Sequence, residues 1–189
     1  MLVTGAYWVF TLTDGALRML VLLHFYTLGY DAFQIALLFL LYEVAGVVTN
    51  LIGGWIGTRL GLKVTLFVGL GLQVIALSAL ANFNPSWLVW QAVAFVMGLQ
   101  ALSGIAKDLT KMSSKSAVKL VVAEDAHDAL YKWVAILTGS KNALKGVGFF
   151  LGGALLTWIG YKTALSSMAD IVALALIVVS VLLTGDLGK

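Results

Sequence analysis

Lys107, Lys111 and Lys115 stand four residues apart, Lys119 extends the row, and Lys141 and Lys145 repeat the interval. Asp14 and Arg18 take the same spacing with opposite charges. Residues four apart share a helix face, so each set forms a short polar stripe. Lysines placed in this way repel one another. A cost that recurs without stabilising the helix points to an anionic ligand. Asp108 sits within the lysine row, and Glu43 lies seven residues before Asn50. A carboxylate among apolar residues either pairs with a cation or carries a proton, and both readings stand for Glu43 and Asp108. Sets that would do covalent or metal chemistry are missing. There is no Cys, no His pair at ligand spacing and no Gly-x-Ser-x-Gly. Gly139-Ser140-Lys141 lacks the remaining glycine and hydroxyl of a phosphate loop. The expectation is a protein that is not an enzyme and needs no metal or cofactor.

The elements that carry these stripes must be membrane helices. Charged residues make up 11% of the 189 residues and apolar ones 61%, where a soluble domain is about 25% charged. Mean hydropathy is +1.00. The formal charge of +3 comes without a basic run, which excludes a nucleic-acid binder. A helix needs about 20 apolar residues to cross hydrocarbon. Six spans are predicted, at about 6–28, 33–57, 63–83, 87–119, 129–159 and 163–184. They form one all-α domain of six transmembrane helices, with Pro85 opening the fourth. That fourth span would be about 50 Å long, so its inner end must protrude.

Asp14, Arg18, Glu43, Lys107, Asp108, Lys111, Lys115, Lys141, Lys145 and Asp170 fall inside these spans. Each would cost about 2.5–3.5 kcal/mol at mid-bilayer. Together they exceed a typical fold's stability if they face lipid, so they must line a bundle interior or a wet cavity. For Asp14, Arg18, Lys141 and Lys145 the alternatives are a structural ion pair or a snorkelling side chain. For the row from Lys107 to Lys119 the alternative is anchoring at the membrane surface. Asp170 reads as a structural cap or pair, His24 as interfacial and His127 as solvated. Gln73, Gln91 and Gln100 read as bridges between helices or as substrate contacts. Trp87, Trp90 and Trp158 read as interfacial anchors. Gly53, Gly57 and Gly61, and Gly148 and Gly152, have the spacing that lets helices approach closely in lipid. Arg59, Lys63, Lys119 and Lys132 on one side, against Lys162 on the other, predict that both chain ends face the cytoplasm.

Gly54-Trp-Ile-Gly-Thr-Arg-Leu-Gly-Leu-Lys63 resembles the loop signature of the major facilitator superfamily, Gly-x-x-x-Asp-Arg-x-Gly-x-Lys. Gly54, Arg59, Gly61 and Lys63 match it, and Thr58 stands at the Asp position. The stretch from Gly148 to Gly153 resembles the family's antiporter motif without its proline. The resemblance implies one half, a 3+3 repeat, of a two-half transporter with its site between the halves. It also implies a gating loop at Gly54, Arg59, Gly61 and Lys63, and a C-terminal six-helix half as partner, from a longer chain or a second copy.

Three further stretches, Thr11–Arg18, Gly104–Met112 and Gly139–Gly146, are similar to the ArsJ-type organoarsenical efflux permeases. That similarity implies export of 1-arseno-3-phosphoglycerate from the bacterial inner membrane, and hence arsenate resistance. Arg18, Lys107, Lys111, Lys141, Asn142 and Lys145 would bind the substrate. Asp14, Glu43 and Asp108 would be their charge partners or carry coupling protons. Two rival functions remain: an exchanger of phosphorylated metabolites, and a six-helix membrane subunit or sensor that transports nothing.

Overall fold

The computed structural model describes residues 2–121 and 127–183. The acidic connection at Glu124 and Asp125 lies outside the described residues, as do the side chains of Thr58, Lys119 and His127. Five helical elements are present: α1 (Leu2–Thr27), α2 (Ala32–Leu60), α3 (Leu62–Leu80), α4 (Val89–Val121) and α5 (His127–Leu182). Each contains a segment long and apolar enough to cross a membrane.

Local chemistry sets the boundaries. Asp31 caps α2, accepting from the Gln34 backbone N–H at 2.8 Å, while the Gln34 side chain accepts from the Asp31 N–H at 3.1 Å. Gly61 both ends α2 and begins α3, at φ 77°, a value that favours glycine. The expected start of the fourth helix at Pro85 is corrected to Val89. Asn84 holds a turn there, accepting from the Ser86 N–H and hydroxyl at 3.0 and 2.8 Å, and the Gln91 side chain accepts from the Leu88 N–H at 3.2 Å. α4 has 33 residues, about 50 Å, as its apolar length predicts.

The expected loop between a fifth and a sixth helix is absent as a gap between elements. α5 runs through it, with one break at Gly160, at φ 79° and ψ 169°. The chain reverses at that point. Ser140 lies against Trp8, Gly148 against Leu12 and Gly15, and Gly152 against Ala16, so the first arm climbs α1. Tyr161 then stacks on His24 near the top of α1, and Ile171 to Val179 return to flank Leu2, Ala6 and Val9. The apolar core lies among α1, α3, α4 and α5, around Phe10, Leu17, Leu20, Leu70, Leu77, Val96 and Leu165.

Glycine decides how closely α1 and the first arm approach. A Cβ on Gly15 would lie 2.7 Å from the Lys145 carbonyl oxygen, and one on Gly148 or Gly152 would overlap the backbone of α1. Gly104 lies against the Tyr42 carbonyl in the same way, joining α2 to α4. The packing role expected of Gly148 and Gly152 is thus present. In the other glycine row, Gly53 abuts Met112, but Gly57 has only contacts at 4.0 Å.

α2 is the least covered helix. Of its apolar stretch 22% is buried, against 61% for α1, and Leu51, Trp55 and Val47 are exposed.

A candidate anion-binding cavity

A cavity of about 260 Å³ opens among α1, α2, α4 and the first arm of α5. α1 contributes Tyr7, Phe10, Thr11, Asp14 and Arg18 to its lining. α2 contributes Glu43, Gly46, Val47 and Asn50, α4 contributes Lys107, Asp108 and Lys111, and α5 contributes Lys141 and Lys145. The four-residue spacing brings these groups together, because each pair projects from one face of its helix. The close fit of Gly15 on the Lys145 backbone sets that lysine beside the turn that bears Asp14 and Arg18.

The lining holds five cationic side chains and three carboxylates. Arg18 forms an ion pair with Glu43. Lys107 lies 3.8 Å from Glu43 and 3.7 Å from Asp108, and Lys111 lies 3.0 Å from Asp108. Lys111 also reaches the Asn50 side-chain oxygen at 3.5 Å. Among the described residues, no carboxylate comes within ion-pairing distance of Lys141 or Lys145. Of the four residues with a structural ion pair as their alternative, Arg18 is ion-paired, whereas Asp14, Lys141 and Lys145 make no ion pair with a described residue.

Tyr42 organises the centre and carried no signal that singled it out. It is fully buried, its hydroxyl donates to Asp14 Oδ1 at 2.6 Å, and its ring lies 4.0 Å from the Arg18 guanidinium and 4.3 Å from Lys107 Nζ. A buried tyrosine needs a partner for its hydroxyl, and its face attracts cations. Gly46 matters by being small: a Cβ there would lie 2.9 Å from Asp108 Oδ2 and 3.1 Å from Lys107 Nζ.

Other expected site residues lie elsewhere. Asn142 is exposed and outside the lining. It follows Lys141 by one residue, which turns it about 100° around the helix. Lys115 is half-buried and does not line the cavity. Gly54, Arg59, Gly61 and Lys63 occupy the junction of α2 and α3, away from the cavity, with Arg59 5.7 Å from the Trp55 ring and Lys63 5.8 Å from that of Phe67. Asp170 is exposed and makes no ion pair with a described residue, contrary to the expected structural pair. His24 is half-buried against Tyr161, at 3.9 Å between ring centroids. Gln73 bridges α3 to α4 by accepting from the Ser103 hydroxyl at 2.7 Å.

Helices this long and apolar read as those of an integral membrane protein. The Major Facilitator Superfamily matches residues 3–188, and the chain belongs to that family. Its members are membrane transporters and are generally not enzymes. No curated protein matches the sequence.

Proposed function

We propose that the protein moves a small organic anion through this cavity by alternating access. One observation carries the reading: Lys141 and Lys145 line the cavity without a carboxylate partner among the described residues. Uncompensated cations in a low-dielectric site are costly until an anion joins them. Phosphate, carboxylate and arsenate groups all suit lysine and arginine donors. Arg18, Lys107 and Lys111 would contribute through their shared network, and Asp14, Glu43 and Asp108 would orient it or relay protons.

The finer assignment, efflux of 1-arseno-3-phosphoglycerate by an antiporter that confers arsenate resistance, rests on the similarity of Thr11–Arg18, Gly104–Met112 and Gly139–Gly146 to the organoarsenical permeases. The reversal at Gly160 supports a reading in which α5 crosses the bilayer twice. That gives six crossings, a 3+3 half, with both ends in the cytoplasm of a bacterial inner membrane. A second six-helix body, from a longer chain or another copy, would close the cavity, and the exposed apolar face of α2 supports this.

The test is flux of labelled anions into proteoliposomes, with Lys141→Gln and Lys145→Gln as variants. Each should lower flux at least tenfold while membrane insertion is unchanged. Unchanged flux in both would overturn the reading. Equal arsenate sensitivity of cells with and without the gene, alongside intact flux of phosphorylated metabolites, would favour the metabolite exchanger.

A further inference from the structure

Glu43 differs from the other two carboxylates of the cavity. Asp14 and Asp108 are buried, whereas the Glu43 side chain is 59% exposed and still reaches both Arg18 and Lys107. It stands on the helix with the least packing around it. Arg18 and Lys107 have neighbours besides Glu43. The Tyr42 ring lies beside both, at 4.0 and 4.3 Å, and Asp108 holds Lys107 at 3.7 Å. Removing the Glu43 charge would leave Arg18 without an ion-pair partner among the described residues and Lys107 with Asp108 alone.

We propose that Glu43 is a tethered counter-anion, which occupies Arg18 and Lys107 in the empty protein and is displaced by the substrate's anionic group. The inference rests on the anion-transport reading and adds a division of labour. Lys141 and Lys145 receive an anion without competition. Arg18 and Lys107 release Glu43 before they bind, which restrains the empty cavity from holding small anions tightly. The exchange is one carboxylate for another oxyanion on the same donors, with no covalent change.

The experiment titrates inorganic phosphate into the full chain in lipid nanodiscs by calorimetry. Glu43→Gln keeps the size of the side chain and removes its charge, and should bind phosphate about tenfold tighter than the unaltered protein. Glu43→Asp should stay within about threefold of it, and Lys141→Gln should bind at least tenfold more weakly. Equal or weaker binding by Glu43→Gln, with Lys141→Gln still impaired, overturns the counter-anion role and leaves the anion cavity standing. Unchanged binding by Lys141→Gln, or no binding by any form, overturns the anion reading beneath it. A difference infrared spectrum of the unaltered protein tests the release without a variant. A phosphate-induced shift of a carboxylate band is expected, and its absence in protein that binds phosphate overturns the proposal.

Discussion

α1 meets its two polar neighbours in opposite ways. Against α5 it is joined backbone to backbone, through Gly15, Gly148 and Gly152. Against α2 it has little packing, and the link is polar: Arg18 to Glu43, and Asp14 to Tyr42. Among the described residues, the lysines on the tightly packed wall have no carboxylate partner, while the cations that face α2 are compensated. The contrast teaches that van der Waals fit joins α1 to α5, whereas polar contacts join it to α2, whose close backbone packing is on α4. A charge link can be exchanged for a ligand, whereas an interlocked backbone contact cannot.

Disrupting the tight wall should have the largest effect. Gly152→Val places a branched side chain where the Ala16 backbone lies, and overpacking of this kind costs about 1–3 kcal/mol or more. The expected result is loss of the monodisperse protein in size-exclusion chromatography, or a large fall in its thermal midpoint. Next comes charge on that wall: Lys141→Gln should reduce anion flux at least tenfold with an unchanged midpoint. A smaller effect is expected across the polar link. Tyr42→Phe keeps the ring beside Arg18 and Lys107 and removes the hydroxyl, leaving a buried Asp14 oxygen without its donor at a cost of about 1–3 kcal/mol. Chemical denaturation in detergent would measure it. The smallest concerns Ser140, which accepts from the Trp8 indole N–H at 3.0 Å. Ser140→Ala should cost about 0.6 kcal/mol and leave flux intact. An effect of Ser140→Ala as large as that of Tyr42→Phe would erase the distinction between the two walls.

Much of the site was legible because charge in hydrocarbon is expensive wherever it occurs. That cost singled out ten residues, of which Asp14, Arg18, Glu43, Lys107, Asp108, Lys111, Lys141 and Lys145 line the cavity, whereas Lys115 and Asp170 do not. Asn142 entered through its neighbours in a motif, and it lies about 100° around the helix from Lys141, outside the lining. Tyr42 was not legible, because an aromatic residue in an apolar run reads the same whether it fills a core or supports two cations. Apolar length did not reveal that the expected fifth and sixth helices run together as α5 with a break at Gly160, nor that Asn84 holds a turn before the start of α4.

From its order of residues alone, this chain is fixed as a membrane protein with helix-borne polar stripes, because hydropathy and a period of 3.6 residues are local properties. Which charge meets which was decided only in three dimensions. Pairing depends on how closely the helices approach, and that is set by glycines meeting backbone from elements far apart in sequence. The same contacts separate the paired cations of α1 and α4 from Lys141 and Lys145 of α5, which have no carboxylate partner among the described residues.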